Sequence, residues 1–174
     1  PDEFQNVRRI FINATKNMYR ILNENGKDGY VFRTDLRLRP DPSVTPVCMG
    51  VDAAERYYAS LGRTWERAAF IKARVCAGDH SAGIKFLKNM EPFVWRKYLD
   101  YAAISDAHNI RLRIRDHFKT KIGDITLPQH NMKLGRGGIR DIEFFTQTHQ
   151  IIFGGRDKGL RSKATITALR AIAD

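Results

Sequence analysis

The sequence of 174 residues has only two cysteines, Cys48 and Cys76, far apart and without metal-type spacing. A disulfide framework and a thiolate metal site are therefore both unsupported, and a reducing, cytoplasmic setting is expected. Its five histidines, His80, His108, His117, His130 and His149, show no ligand-like pairing. No apolar run approaches the roughly 18 residues needed to cross a bilayer. The first residues are polar and acidic, unlike a secretory signal. A start at Pro1 and a helical pattern running to Asp174 without a breaker predict a piece of a longer protein. There is no internal repeat and no low-complexity segment. Acidic residues are scarce: 19 against 30 lysines and arginines give a formal charge of +11. That excess implies an anionic partner such as a nucleotide, phosphate, nucleic acid or an acidic protein surface.

What is present reads as mostly helical. Phe4, Val7, Phe11, Met18, Ile21 and Leu22 recur at helical spacing over 4–23, and Asn25-Gly26 closes that helix. A turn at Lys27-Asp28-Gly29 leads into a strand over 30–38. A proline-rich loop over 40–46 connects it to a short strand at 47–49, predicting a hairpin. Asp52 reads as an N-cap over 53–61 and Thr64 as the cap of 65–74. From Ser81 to Phe118 the pattern is helical, with breaks near Pro92 and Asp100. Pro92 suits the first turn of a helix. A connection over 119–137 leads to a helix over 138–153, ended by Gly154-Gly155, and Ser162 caps a last one. The expected organisation is α+β: a small α/β domain over 1–80, then an all-α helical bundle over 81–174.

Residues 30–40 (YVFRTDLRLRP) carry the most chemistry. With a period of two, Tyr30, Phe32, Thr34, Leu36 and Leu38 share one face, and Val31, Arg33, Asp35, Arg37 and Arg39 the other. A carboxylate can ligate a divalent cation, and flanking guanidiniums can hold phosphate oxygens. Phosphoryl or nucleotidyl chemistry is one reading. A charged edge strand that resists aggregation is the other.

A second stretch, 133–144 (KLGRGGIRDIEF), is a basic, glycine-rich loop entering a helix. Lys133, Arg136 and the Gly137-Gly138 backbone are candidates for phosphate or nucleotide contact, because free amides at a helix start attract anions. The spacing is neither a Walker loop nor a dinucleotide fingerprint. Arg140, Glu143, Gln147 and Gln150 form one polar stripe on that helix, facing a polar cleft or solvent. Asp141, in its first turn, suits the helix dipole, as does Glu66 in an earlier helix. Lys72 and Arg74 are either C-terminal dipole partners or phosphate ligands. Arg111, Arg113 and Arg115 spread around a helix as solvated surface.

Taken together, the runs 30–40, 57–79 (YYASLGRTWERAAFIKARVCAGD), 92–101 (PFVWRKYLDY), 131–147 (NMKLGRGGIRDIEFFTQ) and 151–160 (IIFGGRDKGL) resemble the bifunctional glutamine synthetase adenylyltransferase/adenylyl-removing enzymes. The resemblance covers nearly all of the chain after residue 29. It implies part of a nucleotidyltransferase fold with few mixed or antiparallel strands, followed by the helical bundle. It also implies the N-terminal half of the family, which removes AMP from glutamine synthetase by phosphorolysis. Asp35 would then ligate magnesium, or manganese, while Arg37 and Arg39 hold phosphate oxygens. Phosphate and ADP or ATP would be substrates, with glutamine synthetase and a PII-type signalling protein as partners. The family's Gly-Ser-Asp-x-Asp motif is not in this sequence, so the chain alone is expected to be inactive. Two rivals remain: a helical binding module for the same partners, and an RNA-modifying nucleotidyltransferase. The second is disfavoured by the lack of an interleaved aromatic platform for nucleic acid.

Overall fold

The computed structural model describes residues 2–98, 105, 131–133, 135 and 137–174. Expectations for helices and turns within 99–104 and 106–130, for Arg111, Arg113, Arg115, His108, His117 and His130, and for Arg136 lie outside them. Two units emerge, 1–61 and 62–174.

In the first unit, α1 (Asp2–Asn23) is strongly amphipathic, with Phe4, Ile10, Phe11, Met18 and Ile21 exposed along it. Gly26 and Gly29 exchange backbone hydrogen bonds of 2.9 and 3.3 Å around Lys27-Asp28. The expected strand over 30–38 and its hairpin with 47–49 do not form, and no strand occurs among the described residues. The α+β expectation, with its nucleotidyltransferase-type sheet, is thus corrected to an all-helical architecture over those residues. The cause lies in where the backbone amides go. Phe32 N–H donates to the Leu22 carbonyl at 2.9 Å, and Thr34 N–H to the Asn23 side chain at 3.2 Å. Those acceptors belong to the end of α1, whose last carbonyls lack intrahelical partners. The extended segment therefore closes a helix instead of pairing with a strand.

At its far end Asp35 caps a single 3₁₀ turn, η1 (Leu36–Leu38). The following loop is tied to itself: the Thr45 hydroxyl donates to the Pro40 and Asp41 carbonyls, and the Ser43 hydroxyl to the Asp41 carboxylate. Helix α2 (Val51–Ser60) starts from Gly50, leaving Asp52 in the first turn as a dipole partner rather than the cap. It buries Ala54 and Tyr58.

The second unit contains α3 (Thr64–Ile71), α4 (His80–Asn89), α5 (Glu91–Val94), α6 (Ile139–Phe153), the 3₁₀ turn η2 (Lys158–Leu160) and α7 (Thr165–Ala173). Thr64 is inside α3, and the Glu66 carboxylate reaches back to the Arg63 amide at 2.7 Å. Asp79 caps α4 through the Ala82 amide, and Pro92 sits in the first turn of α5. Ile71, Met90, Phe93, Val94, Ile151, Leu160 and Ala168 are buried apolar residues of this unit. Phe70 meets Phe93 edge-on at 6.1 Å.

Buried polar groups link the elements. Gln150 donates to the Leu160 carbonyl at 2.6 Å and the Ser162 carbonyl at 2.8 Å. Arg67, 1% exposed, donates to the carbonyls of Val94 (2.9 Å) and Ile151 (3.3 Å). Val94 ends α5 and Ile151 lies in the last turn of α6, so one guanidinium serves carbonyls that two helix ends leave open. The partial negative charge at those ends suits the cation. Burial, and secondarily the nearby Arg96, push the Arg67 guanidinium down to about 10, so it stays charged at neutral pH.

Residues 95–98 cross the end of α6. Arg156 donates to the Lys97 carbonyl and lies over Tyr98, and Arg161 donates to the Gly154 carbonyl and lies over Trp95. A methyl group at position 155 would overlap the Arg96 carbonyl oxygen. Gly155→Ala is therefore expected to lower stability by about 1–3 kcal/mol, the usual range for overpacking. Urea unfolding followed by circular dichroism measures it.

Candidate functional site

Asp35 sits at an exposed corner of the first unit, its side chain 46% accessible. The extended backbone before η1 aims its carboxylate at the turn, where it accepts the Arg37 amide at 2.9 Å. The Arg37 guanidinium closes on both carboxylate oxygens, with Nη2 to Oδ2 at 2.6 Å and Nε to Oδ1 at 3.0 Å. These bonds, reinforced by the charges of Arg37 and Arg33, hold the Asp35 carboxyl at about 2. The group is thus a permanent anion at neutral pH, flanked by two exposed guanidiniums.

Arg39 does something else. Its Nη1 donates to the Leu36 carbonyl at 2.7 Å and its Nη2 to the Pro42 carbonyl at 2.8 Å, fixing the loop. Of the three residues expected to form one face, the structure brings Asp35 and Arg37 together and turns Arg39 onto the backbone.

The pairing makes a specific prediction. Arg37→Gln should raise the Asp35 pKa from about 2 toward the ordinary value near 3.9. Because the folded-state value is depressed, whatever the pair contributes to stability is present above the unfolded-state value and disappears as pH falls through about 2. A side-chain carboxyl NMR titration reads the shift. An unchanged Asp35 titration would show that Arg37 does not hold it.

In the second unit Lys72, at the C-terminal end of α3, donates to Glu143 of α6 at 2.5 Å and to the Thr165 hydroxyl at the start of α7 at 3.0 Å. Two of the residues singled out in the sequence, Lys72 and Glu143, therefore meet across 71 positions, and Thr165 joins them. The pair is half-exposed, so its Coulombic energy is screened. Arg74 is exposed and makes no hydrogen bond or ion pair among the described residues.

The glycine-rich loop before α6 does not present an open row of amides. Ile139 N–H donates to the Met132 carbonyl at 2.9 Å, and Arg140 N–H to the Lys133 carbonyl at 3.1 Å. Gly137, at φ +73°, donates to the Asp141 carboxylate at 3.0 Å. Gly138 packs against the Met132 and Gly135 carbonyls, too closely for a side chain. The loop thus satisfies the helix start from within, while the Lys133 side chain stays exposed. Asp141 does serve the first turn, through a hydrogen bond to the loop as well as the dipole.

Two residues of this architecture were not singled out by sequence reasoning as site or hub residues: Thr165 and Arg67. Arg67 follows Glu66 on a short helix whose other residues are Thr64, Trp65, Ala68, Ala69, Phe70 and Ile71, so two adjacent charges interrupt a mainly apolar run. That contrast was the available signal.

No group of three or more His, Cys, Asp or Glu residues that would suit a metal occurs among the described residues. No helix among them is long and apolar enough to cross a membrane.

The glutamate-ammonia ligase adenylyltransferase family model matches residues 3–89, and the GlnD PII-uridylyltransferase model matches residues 108–174. A bifunctional glutamine synthetase adenylyltransferase/adenylyl-removing enzyme of Rhizobium meliloti (strain 1021) is 57% identical over 164 residues, covering 94% of this chain and 16% of that protein. The protein of the same name from Agrobacterium fabrum is 55% identical over 173 residues, 99% of this chain and 17% of its own length. That from Caulobacter vibrioides is 53% identical over 165 residues, 94% and 16%. The chain thus spans about one sixth of the length of these relatives. With a family model over half of its residues and relatives above 50% identity along nearly all of it, the chain belongs to the glutamate-ammonia ligase adenylyltransferase family.

Proposed function

We propose that this chain is part of an enzyme that removes AMP from adenylylated glutamine synthetase by phosphorolysis. In that reaction orthophosphate attacks the α-phosphorus of adenylyl-tyrosine. The tyrosine oxygen leaves with a proton, and the AMP moiety departs as ADP. The observation that carries the reading is the ionised Asp35 with Arg33 and Arg37 around it, in a chain of this family. Phosphorolysis brings two phosphate groups together, and exposed guanidiniums are suited to hold their oxygens. Positioning and charge stabilisation supply most of the rate in such transfers. Arg37 binds phosphate oxygens in this scheme by exchanging one of its two contacts with Asp35. Arg39 supports the loop that carries both.

Magnesium or manganese is the cation such chemistry takes. Asp35 is a single carboxylate whose two oxygens already accept Arg37, and no cluster of three or more His, Cys, Asp or Glu residues that would suit a metal occurs among the described residues. Those residues do not by themselves fit a divalent ion, which requires several oxygen ligands. The chain alone is accordingly expected to be inactive.

The adenylyl-removing direction rests on the likeness of 62–67, 92–98 and 133–144 to the half of the family that deadenylylates. Glutamine synthetase is the proposed protein substrate, as in the names of the relatives. A PII-type signalling protein is the proposed regulator, in keeping with the PII-uridylyltransferase match at 108–174. The unpaired Cys48 and Cys76 fit a reducing cytoplasm.

The test is nucleotide release by the intact enzyme containing this segment, supplied with adenylylated glutamine synthetase. Phosphate-dependent ADP formation supports the proposal. ATP-dependent AMP incorporation with no phosphate-dependent ADP would assign the segment to the opposite reaction.

A further inference from the structure

Within the second unit, α3, α4, α5 and residues 161–163 enclose an open groove of about 490 Å³. Its floor is apolar: Phe70, Ile71, Leu87, Val94 and Trp95. Three cations, Lys88, Arg161 and Lys163, stand around it against one carboxylate, Glu91. Two of the cations are fixed in place by backbone carbonyls. Arg161 Nε donates to Gly154 at 2.6 Å, with its guanidinium 5.3 Å from the Trp95 ring centre. Lys163 Nζ donates to the Ala73 carbonyl at 2.6 Å. The ion pairs among the described residues are Arg37 with Asp35 and Lys72 with Glu143, so none of the three rim cations is neutralised by a carboxylate there.

Carbonyl anchoring positions a cation without cancelling its charge. A preorganised positive rim over an apolar, aromatic floor selects a ligand that is greasy at one end and anionic at the other. The volume lies in the range of small-molecule sites, roughly 300–1,000 Å³. We propose that this groove binds an amphipathic organic anion, with an apolar body on Trp95, Leu87 and Phe70 and a single carboxylate, phosphate or sulfonate between Lys88 and Lys163. The proposal does not depend on the Asp35 chemistry.

The probe is 1-anilinonaphthalene-8-sulfonate, compared with its neutral counterpart N-phenyl-1-naphthylamine. The 174-residue chain carrying Trp65→Phe reports through Trp95 alone, since these are the only two tryptophans. Saturable one-to-one quenching of Trp95 is expected, with the sulfonate bound about tenfold more tightly than the neutral probe, the effect of roughly one favourable charge contact. The double variant Lys88→Gln/Lys163→Gln should bring the sulfonate close to the neutral probe and leave the neutral probe unaffected. Lys88→Gln alone, at an exposed position, should give part of that loss with an unchanged melting curve. Equal affinity for the two probes, sulfonate affinity unmoved in the variants, or binding that leaves Trp95 unquenched would overturn the proposal. Self-association of the chain that buries Trp95 would overturn it too, giving the groove to a second copy.

Discussion

Arg67→Ala is expected to destabilise the 62–174 unit by about 3–5 kcal/mol, a large share of the roughly 5–15 kcal/mol that separates a folded domain from its unfolded state. The side chain is 1% exposed and holds the carbonyls of Val94 and Ile151. Truncation removes both donors at once and leaves two buried acceptors at helix ends, each worth about 1–3 kcal/mol when unsatisfied. It also opens a void among α3, α5 and α6, which adds to the loss. Arg67→Met fills most of that volume but donates nothing, so it should recover only the packing part. Arg67→Lys keeps the charge on a narrower head that lacks the planar fork, and should fall between the wild type and alanine. Urea denaturation of the three variants measures the series. A loss below about 1 kcal/mol for alanine would show that water replaces the guanidinium at both carbonyls.

Asp35→Asn is expected to reduce phosphate-dependent ADP release by about a thousandfold in the intact enzyme, because the neutral amide no longer holds the Arg37 guanidinium in place to meet phosphate oxygens. The same substitution should leave the melting curve essentially unchanged, because the side chain lies at the surface. Asparagine retains an oxygen that can accept the Arg37 amide, so the cap over η1 survives. What it loses is the charge that pairs with the guanidinium. Activity and fold are thereby separated in one variant.

The helices were legible wherever a local signal sufficed. Pro92 marked the first turn of α5, and Gly154-Gly155 marked the end of α6, because each constraint acts within a turn of its own position. The alternation over 30–38 reads as a strand, yet Asp35 is extended only to cap the 3₁₀ turn at Leu36–Leu38, because alternation does not specify a hydrogen-bond partner. Phe32 and Thr34 donate to the end of α1, and that choice depends on how the Gly26–Gly29 turn redirects the chain. The loop before α6 illustrates the same limit. Its glycines announce close backbone approach, and the groups that approach Gly138 are the loop's own Met132 and Gly135 carbonyls. Of the candidate site residues, Asp35 and Arg37 meet because they are two positions apart on a capped turn. Lys72 and Glu143 meet because α3 packs on α6, which no local pattern encodes. Arg67 was overlooked because a lone arginine normally reads as surface, and only packing shows that it faces two helix ends.

The most direct test of the functional account is the rate of phosphate-dependent ADP release from adenylylated glutamine synthetase, measured for the intact enzyme and its Asp35→Asn variant after both are shown to be folded. Release by the wild type and a loss of about three orders of magnitude in the variant is the predicted result. Equal rates would contradict the assignment, leaving the Asp35–Arg37 pair as a surface ion pair that closes a turn.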